Sequence, residues 1–215
     1  MDRRDFVLAG SLAAAASLRW LRQGGLFAFA DIAQAPEPSS APLQEANGVF
    51  AAIVRAVLPF DDARFAAITP IQVETRANES FSLDKDPSIQ RNLALFGDLT
   101  QFATPPAWVS QAELALYPAE DDERSGPSLV PARESADAKA FQTASARWPS
   151  GTTSFAALPL AAQRAYLGLW ARSALGTRRR FYQAMKTLVM SAAYSMDQTW
   201  PVIGYDGPLL HVRPS

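Results

Sequence analysis

The sequence of 215 residues contains no cysteine and a single histidine, His211. The lack of cysteine excludes disulfide bonds, cysteine-ligated iron–sulfur clusters, c-type haem attachment and thiol nucleophiles. A zinc site built from histidine and cysteine needs three or four ligands, which one histidine cannot supply. The functions that depend on these side chains are therefore excluded.

Glycine-rich phosphate-binding motifs are missing too. The sequence contains neither G-x-G-x-x-G nor G-x-x-x-x-G-K-[ST], so nothing in it supports a nucleotide or flavin site of these kinds. The G-x-S-x-G motif of serine hydrolases is also absent. We therefore expect that the chain binds no cofactor and carries no catalytic residues.

Excess positive charge is lacking outside the first 30 residues. The whole chain has a net charge of −1, and residues 31–215 have a net charge of −3. A nucleic-acid-binding domain is expected to be clearly basic. The charge balance thus predicts no nucleic-acid partner.

The chain begins "MDRRDFVLAGSLAAAASLRW", in which an arginine pair precedes an uncharged run over residues 6–18. This run is shorter than the roughly 20 apolar residues of a membrane-spanning helix. A positive start, a short apolar core and a small-residue cleavage site are typical of an export signal. Ala28-Phe29-Ala30 fits the cleavage pattern, so residues 1–30 are predicted to be a signal peptide.

Arg3-Arg4-Asp5-Phe6-Val7 resembles a twin-arginine signal, with Arg3, Arg4 and Phe6 at its defining positions. The resemblance implies recognition by the twin-arginine translocase and a periplasmic location. This route transports folded proteins that carry a cofactor or a folded partner. Because no cofactor motif is present, we expect a partner that travels with the chain. An ordinary export signal or an amphipathic amino-terminal helix remains the alternative.

The rest of the chain is predicted to be mainly α, a small helical domain with long loops and an extended carboxy-terminal segment. Residues 31–43 form a Pro/Ser-rich linker, and residues 44–215 form one helical domain. Apolar spacings of three and four predict helices over 44–58 and 89–102. A short helix is possible over 110–117, and residues 117–134 suggest a long surface loop whose role the sequence leaves open.

Two further helices are expected in the last third of the domain. Thr153 or Ser154 can cap the first, whose apolar side includes Tyr166, Trp170 and Ser173. Gly176 is predicted to end that helix in a left-handed conformation. The second carries Phe181, Met185, Leu188, Ala192 and Met196 on its apolar side. Strand signals are weak throughout.

Three consecutive arginines, Arg178, Arg179 and Arg180, fall in the first turn of this last helix. The helix dipole disfavours positive charge there by about 0.3–1 kcal/mol per residue. Two explanations remain open. The arginines can pair with carboxylates of this chain, such as that of Asp206 or those of the acidic 117–134 loop. They can also face an anionic surface of a partner.

The segment "TWPVIGYDGPLL" over residues 199–210 combines large apolar side chains with Pro and Gly, which predicts turns rather than a helix. Such a segment can brace the helices, which we expect of Trp200. It can also present aromatic anchors to another protein, which we expect of Tyr205.

"SFAALPLAAQRAYLGLW", "RRRFYQAMKTLVMSAAYS" and "TWPVIGYDGP", together with the Arg-Arg-x-Phe leader, resemble the gluconate 2-dehydrogenase subunit 3 family. The likeness covers residues 155–208, and its most specific part is the Trp…Ile-Gly-Tyr-x-Gly-Pro ending. Residues 60–151 match only loosely.

The resemblance implies a small, non-catalytic subunit of a periplasmic dehydrogenase. Its partner would be a large flavoprotein of the glucose–methanol–choline class, which holds FAD and oxidises a sugar, sugar acid or other alcohol. A membrane-bound cytochrome c, with haem c, commonly receives the electrons. The residues that we expect at the partner interface are Arg178, Arg179, Trp200, Ile203, Tyr205 and Pro208.

Two other classes of function remain open at this point. A stand-alone periplasmic protein could bind a small molecule among Tyr166, Trp170 and Trp200, although few polar groups are available to orient a ligand. An enzyme could use the carboxylates of Asp61 and Asp62. Adjacent aspartates after a helix more often begin a turn, so this third class is the weakest.

Overall fold

The computed structural model describes residues 13–19, 40–103 and 130–203. Within them the chain is mainly α, as the sequence predicts, and contains no strand. Seven α-helices follow one another: α1 Ser40–Val57, α2 Pro70–Phe81, α3 Pro87–Gly97, α4 Leu99–Ala103, α5 Val130–Ser145, α6 Leu160–Ala171 and α7 Gly176–Tyr194. Three 3-10 helices lie between or after them: Ala63–Phe65, Phe155–Ala157 and Asp197–Ile203. Residues 13–19 are also helical.

Helix α1 lies at the centre of the domain, where it contacts α2, α3, α6 and α7. Its residues Val49, Ile53 and Val54 are completely buried. Their spacing places them on the apolar side of an amphipathic helix, as the sequence predicts. Of the described helices, none combines the length and the apolar character that crossing a bilayer requires.

Helix α3 lies close to α1 at Gly97, the last residue of α3. A Cβ atom placed on Gly97 would lie within 2.4 Å of a Val49 methyl carbon. Gly48, the neighbour of Val49 on α1, has room by contrast, since its nearest atom would be the Ala156 Cβ at 3.9 Å. The missing side chain of Gly97 therefore sets how closely α3 packs on the central helix.

We expect Gly97→Ala to destabilise the domain by about 1–3 kcal/mol, because the added methyl group overpacks the helix contact. Gly48→Ala adds the same methyl group to an open helical position and should stabilise it by about 0.5–1 kcal/mol. Urea denaturation of the two variants gives both values. Equal stabilities for the two variants would contradict this account of Gly97.

The structure corrects two predicted boundaries in the first half. Helix α1 begins at Ser40, so residues 40–43 of the predicted linker are helical. Pro42 does not prevent this, because a proline in the first turn removes no helical hydrogen bond. The helix predicted over 89–102 is interrupted at Asp98, whose extended backbone ends α3 and whose carboxylate accepts from the Thr100 N–H at 2.9 Å to start α4.

Helices α2 and α5 were not predicted. The start of α2 carries a strong local signal, because Thr69 and Gln72 form a capping box and Pro70 occupies the first turn. Helix α5 includes residues 130–134, which the sequence assigned to the long loop. Residues 117–129, and the short helix expected over 110–117, lie outside the described residues.

Two predicted helix ends are also wrong. Ser154 precedes the short 3-10 helix and makes no capping hydrogen bond with its side chain, and α6 begins later, at Leu160. Gly176 starts α7 instead of ending α6, and Gly151 is the glycine with positive φ among the described residues. Pro159 explains the later start of α6, because a proline disfavours the helical conformation of the residue before it, and Leu158 is extended.

Candidate functional site

A buried ion pair lies where α5 meets the start of α7. The Arg178 guanidinium donates to the Asp137 carboxylate at 2.7 Å, and the exposed fractions of the two side chains are 5% and 6%. The Ser173 hydroxyl and the Ala174 N–H also donate to Asp137. The Arg178 guanidinium carbon lies 4.1 Å from the centre of the Phe102 ring. We call Asp137, Ser173 and Arg178 the polar junction.

The polar junction explains how Arg178 is accommodated in the first turn of a helix, where the helix dipole disfavours positive charge. The Asp137 carboxylate provides the negative charge that offsets the unfavourable interaction of Arg178 with the helix dipole. The same carboxylate accepts the N–H of Ala174, just before α7. Asp137 belongs neither to the 117–134 loop nor to the carboxy-terminal segment, where the sequence analysis placed the pairing carboxylates.

Arg178, expected at the partner interface, is thus inside the domain. Only 4% of the residue is exposed. Arg179 is partly buried and donates to the Ser173 carbonyl at 2.7 Å, so it also holds the connection between α6 and α7. The first arginine of the run, Arg178, therefore has a structural role inside the domain. Only the partly exposed Arg179 and Arg180 can reach a partner.

Tyr166 and Trp170 do not line a site for a small molecule, which the sequence suggested among these two residues and Trp200. Tyr166 is fully buried and Trp170 is 3% exposed. Both contact an aromatic cluster at the centre of the core, whose other members include Phe96, Phe102, Phe155 and Phe181. Side chains of the protein itself fill the space that a ligand would need.

Tyr166 makes a specific polar contact inside this cluster. Its hydroxyl donates to the Phe96 carbonyl at 3.0 Å, near the end of α3. Burial raises the pKa of Tyr166 well above its ordinary value, and the charge of Arg178 opposes this only in part. The phenol therefore remains protonated and serves as a structural hydrogen-bond donor.

The carboxy-terminal segment begins as a helix, contrary to the prediction of turns. Residues Asp197–Ile203 form a 3-10 helix that includes Pro201. Proline fits into this 3-10 helix, because its fixed φ lies within the range of φ values that a 3-10 helix uses. The Trp200 indole N–H donates to the Tyr194 carbonyl at 3.1 Å, and the buried Thr199 hydroxyl donates to the Ala193 carbonyl at 2.7 Å. Trp200 thus has the bracing contact that the sequence led us to expect.

An open groove of about 440 Å³ lies between α2 and this 3-10 helix. Its lining residues come from α2, from the two residues after α7 and from the start of the 3-10 helix: Ile71, Gln72, Thr75, Arg76, Glu79, Ser195, Met196, Asp197 and Gln198. Ile71 is 73% exposed, more than the other exposed large apolar residue of the described chain, Leu160. An open groove with an exposed aliphatic side chain suits contact with another protein better than enclosure of a small molecule.

Arg76 joins the two sides of the groove. Its Nε donates to the Ser195 hydroxyl at 3.0 Å, and the same guanidinium lies 3.7 Å from the Glu79 carboxylate. These polar contacts hold α2 beside the end of α7 while Ile71 stays exposed. The groove was missed in the sequence because α2 was missed, although the Thr69–Gln72 capping box could have revealed the helix.

The adjacent aspartates Asp61 and Asp62, the candidates for an enzyme site, lie near the surface. The exposed Asp61 carboxylate lies 3.3 Å from the Arg164 guanidinium, and Asp62 is its partly buried neighbour. Within the described residues no cluster of histidine or carboxylate side chains has the arrangement needed to bind a metal ion.

Several predicted residues have no described surroundings. Arg3, Arg4, Phe6, Tyr205 and Pro208 lie outside the described residues, as do Asp206 and His211, and of Ile203 only the backbone is described. Their proposed roles rest on the sequence alone.

Comparison with protein-family models, curated proteins and solved structures found no match to this chain.

Proposed function

We propose that this chain is the non-catalytic small subunit of a periplasmic FAD-dependent dehydrogenase that oxidises a sugar, a sugar acid or another alcohol. In this role it stabilises the flavoprotein subunit and carries it through the twin-arginine route. FAD belongs to the partner of the glucose–methanol–choline class, and haem c to a membrane-bound cytochrome that accepts the electrons.

One observation carries the proposal: a twin-arginine leader and the Trp…Ile-Gly-Tyr-x-Gly-Pro ending occur on the same chain. The leader implies transport of a folded protein. The ending is the most specific part of the resemblance to gluconate 2-dehydrogenase subunit 3. Each motif alone is short, but the two together are what we expect of a chain that carries a partner and binds it through its carboxy-terminal segment, residues 199–210.

The groove beside α2 supports a protein partner in particular. Ser195 to Gln198 line the groove, and the same stretch continues into Trp200 and Ile203. The expected interface residues Trp200 and Ile203 therefore follow directly on an open surface that contains the exposed Ile71. Trp200 is held to α7 by its hydrogen bond to Tyr194, which makes the start of the binding segment rigid. A preorganised segment loses less entropy on binding.

The test is to tag the chain in its own organism and purify it from the periplasm. We expect a larger FAD-containing chain to co-purify in a constant ratio, whereas the chain produced alone should show no visible absorbance. Stoichiometric flavin on the isolated chain, or purification without a larger partner, would contradict the proposal.

Two truncations separate binding from folding. Deletion of residues 204–215 keeps the hydrogen bonds of Thr199 and Trp200 to α7, so we expect native helical circular dichroism and loss of co-purification. Deletion of residues 200–215 also removes the Trp200 brace and should lower the melting temperature of the isolated chain. If the shorter deletion leaves co-purification intact, Tyr205 and Pro208 are not interface residues.

A further inference from the structure

The helical segment 13–19 packs on the folded domain. Ala14 is 2% exposed and belongs to the same buried cluster as the core residues of α1, and Leu18 packs partly buried against that cluster. Ala13, Ala15, Ala16 and Arg19 are exposed. Residues 14 and 18 are four apart, so they share one face of the helix.

This burial cannot come from the segment itself. Isolated helices shorter than about 12–15 residues are marginal in water, and the described part of this helix covers only residues 13–19. A short helix also cannot shield one of its own alanine side chains while the adjacent alanines stay exposed. The domain therefore provides both the apolar surface that buries Ala14 and the reason why the segment is helical.

We propose that the folded domain binds its own leader, through Ala14 and Leu18, at an apolar docking surface on the helical core. Residues 13–18 belong to the uncharged run that the sequence identifies as the signal core. A signal core must be accessible to its receptor, so docking on the domain and presentation to the translocase exclude each other. Among the described leader residues, Ala14 and Leu18 are the ones that pack on the buried cluster, so we expect the docked state to open reversibly.

The meaning of this segment as a leader rests on the proposed function, but the docking does not. A test on the purified chain in solution examines docking alone. The full chain, with residues 1–30 present, is purified from the cytoplasm before export.

The natural lack of cysteine makes thiol labelling clean. Ala14→Cys places a thiol at the buried position, and Ala15→Cys places the same thiol at the exposed neighbour. With N-ethylmaleimide, we expect Ala14→Cys to react at least about tenfold more slowly in the folded chain, because reaction requires the segment to open. Both variants should react at the same rate in denaturant, and a peptide of residues 1–30 should show no difference between them.

Equal labelling rates in the folded chain would overturn the docking proposal, and so would an equal rate difference in the peptide. A second measurement covers the case in which Cys at position 14 itself weakens docking. Amide hydrogen exchange of the unmodified chain should show protection over residues 13–19 that Leu18→Ala removes. Alanine is the better helix former, so lost protection reports lost docking rather than lost helix propensity. Exchange of residues 13–19 at the unprotected rate in the unmodified chain would also refute docking.

Export experiments are then informative in a separate way. If labelling and exchange show docking but the chain is never exported, the docking surface stands and the carrier function fails. If the chain is exported and neither measurement shows docking, the carrier function stands and the docking surface fails.

Discussion

Replacing Asp137 with alanine should destabilise the domain by about 3–5 kcal/mol, because it removes the carboxylate that pairs with a buried charge. Arg178 is 4% exposed, so water cannot readily take the place of the lost carboxylate. The same substitution also removes the acceptor of the Ser173 hydroxyl and the Ala174 N–H. Urea denaturation followed by circular dichroism measures the loss.

The chain offers a matched control for this substitution. Asp61 and Arg164 also form an aspartate–arginine pair, but their side chains are 72% and 41% exposed. Asp61→Ala should cost at most about 0.2–1 kcal/mol, as exposed pairs typically do. If Asp137→Ala costs no more than Asp61→Ala, the polar junction does not stabilise the domain.

The double variant Asp137→Ala/Arg178→Met tests the physical cause. Replacing both members of a buried pair with apolar residues is often close to neutral. We therefore expect the double variant to be more stable than Asp137→Ala alone, although it does not restore the hydrogen bond from the Ala174 N–H to Asp137. A double variant that is less stable than Asp137→Ala would show that the lost pairing of the Arg178 charge is not the main cost.

Replacing Arg3 and Arg4 with lysine should reduce export of the chain, and of the flavoprotein partner that we propose for it, to background. Lysine keeps the positive charge, which is sufficient for a general export signal. A twin-arginine signal is instead read by a receptor as a specific address. Cell fractionation with antibodies to both chains measures the effect.

Arg19 and Arg22 provide the control for this second prediction, because they lie in the same leader but outside the twin-arginine motif. Arg19→Lys/Arg22→Lys should leave export unchanged. Normal export of the Arg3→Lys/Arg4→Lys chain would show that the leader is not a twin-arginine signal. Export of the flavoprotein without this chain would show that it is not the carrier.

Local patterns in the sequence were sufficient for the fold class and for the most amphipathic helices. The spacing of Val49, Ile53 and Val54 identified the apolar side of α1, which is the central helix. The arginine run was correctly assigned to the first turn of α7, since Arg178 is its third residue. These predictions succeeded because a helix that packs along one face has apolar residues at a regular spacing of three and four in its own sequence.

Other errors arose where local signals competed. A helical pattern continued from Ile89 to Phe102, yet the chain turns at Asp98, where the Leu99 N–H donates to the Thr153 carbonyl. Gly176 resembled a helix end, but it begins α7 because Arg172 already ends α6. At Asp98 the contact lies outside the local window, since Leu99 and Thr153 are far apart in the sequence.

The sequence by itself determined that this is a mainly helical chain without cysteine or a recognisable cofactor motif. The tertiary structure decided that Arg178 is internal, that Tyr166 and Trp170 belong to the core, and that an open groove lies beside α2. Helix periodicity is a property of neighbouring residues, whereas Asp137 and Arg178 are 41 positions apart. Burial and pairing over that distance depend on how the helices pack, and no spacing in the sequence records it.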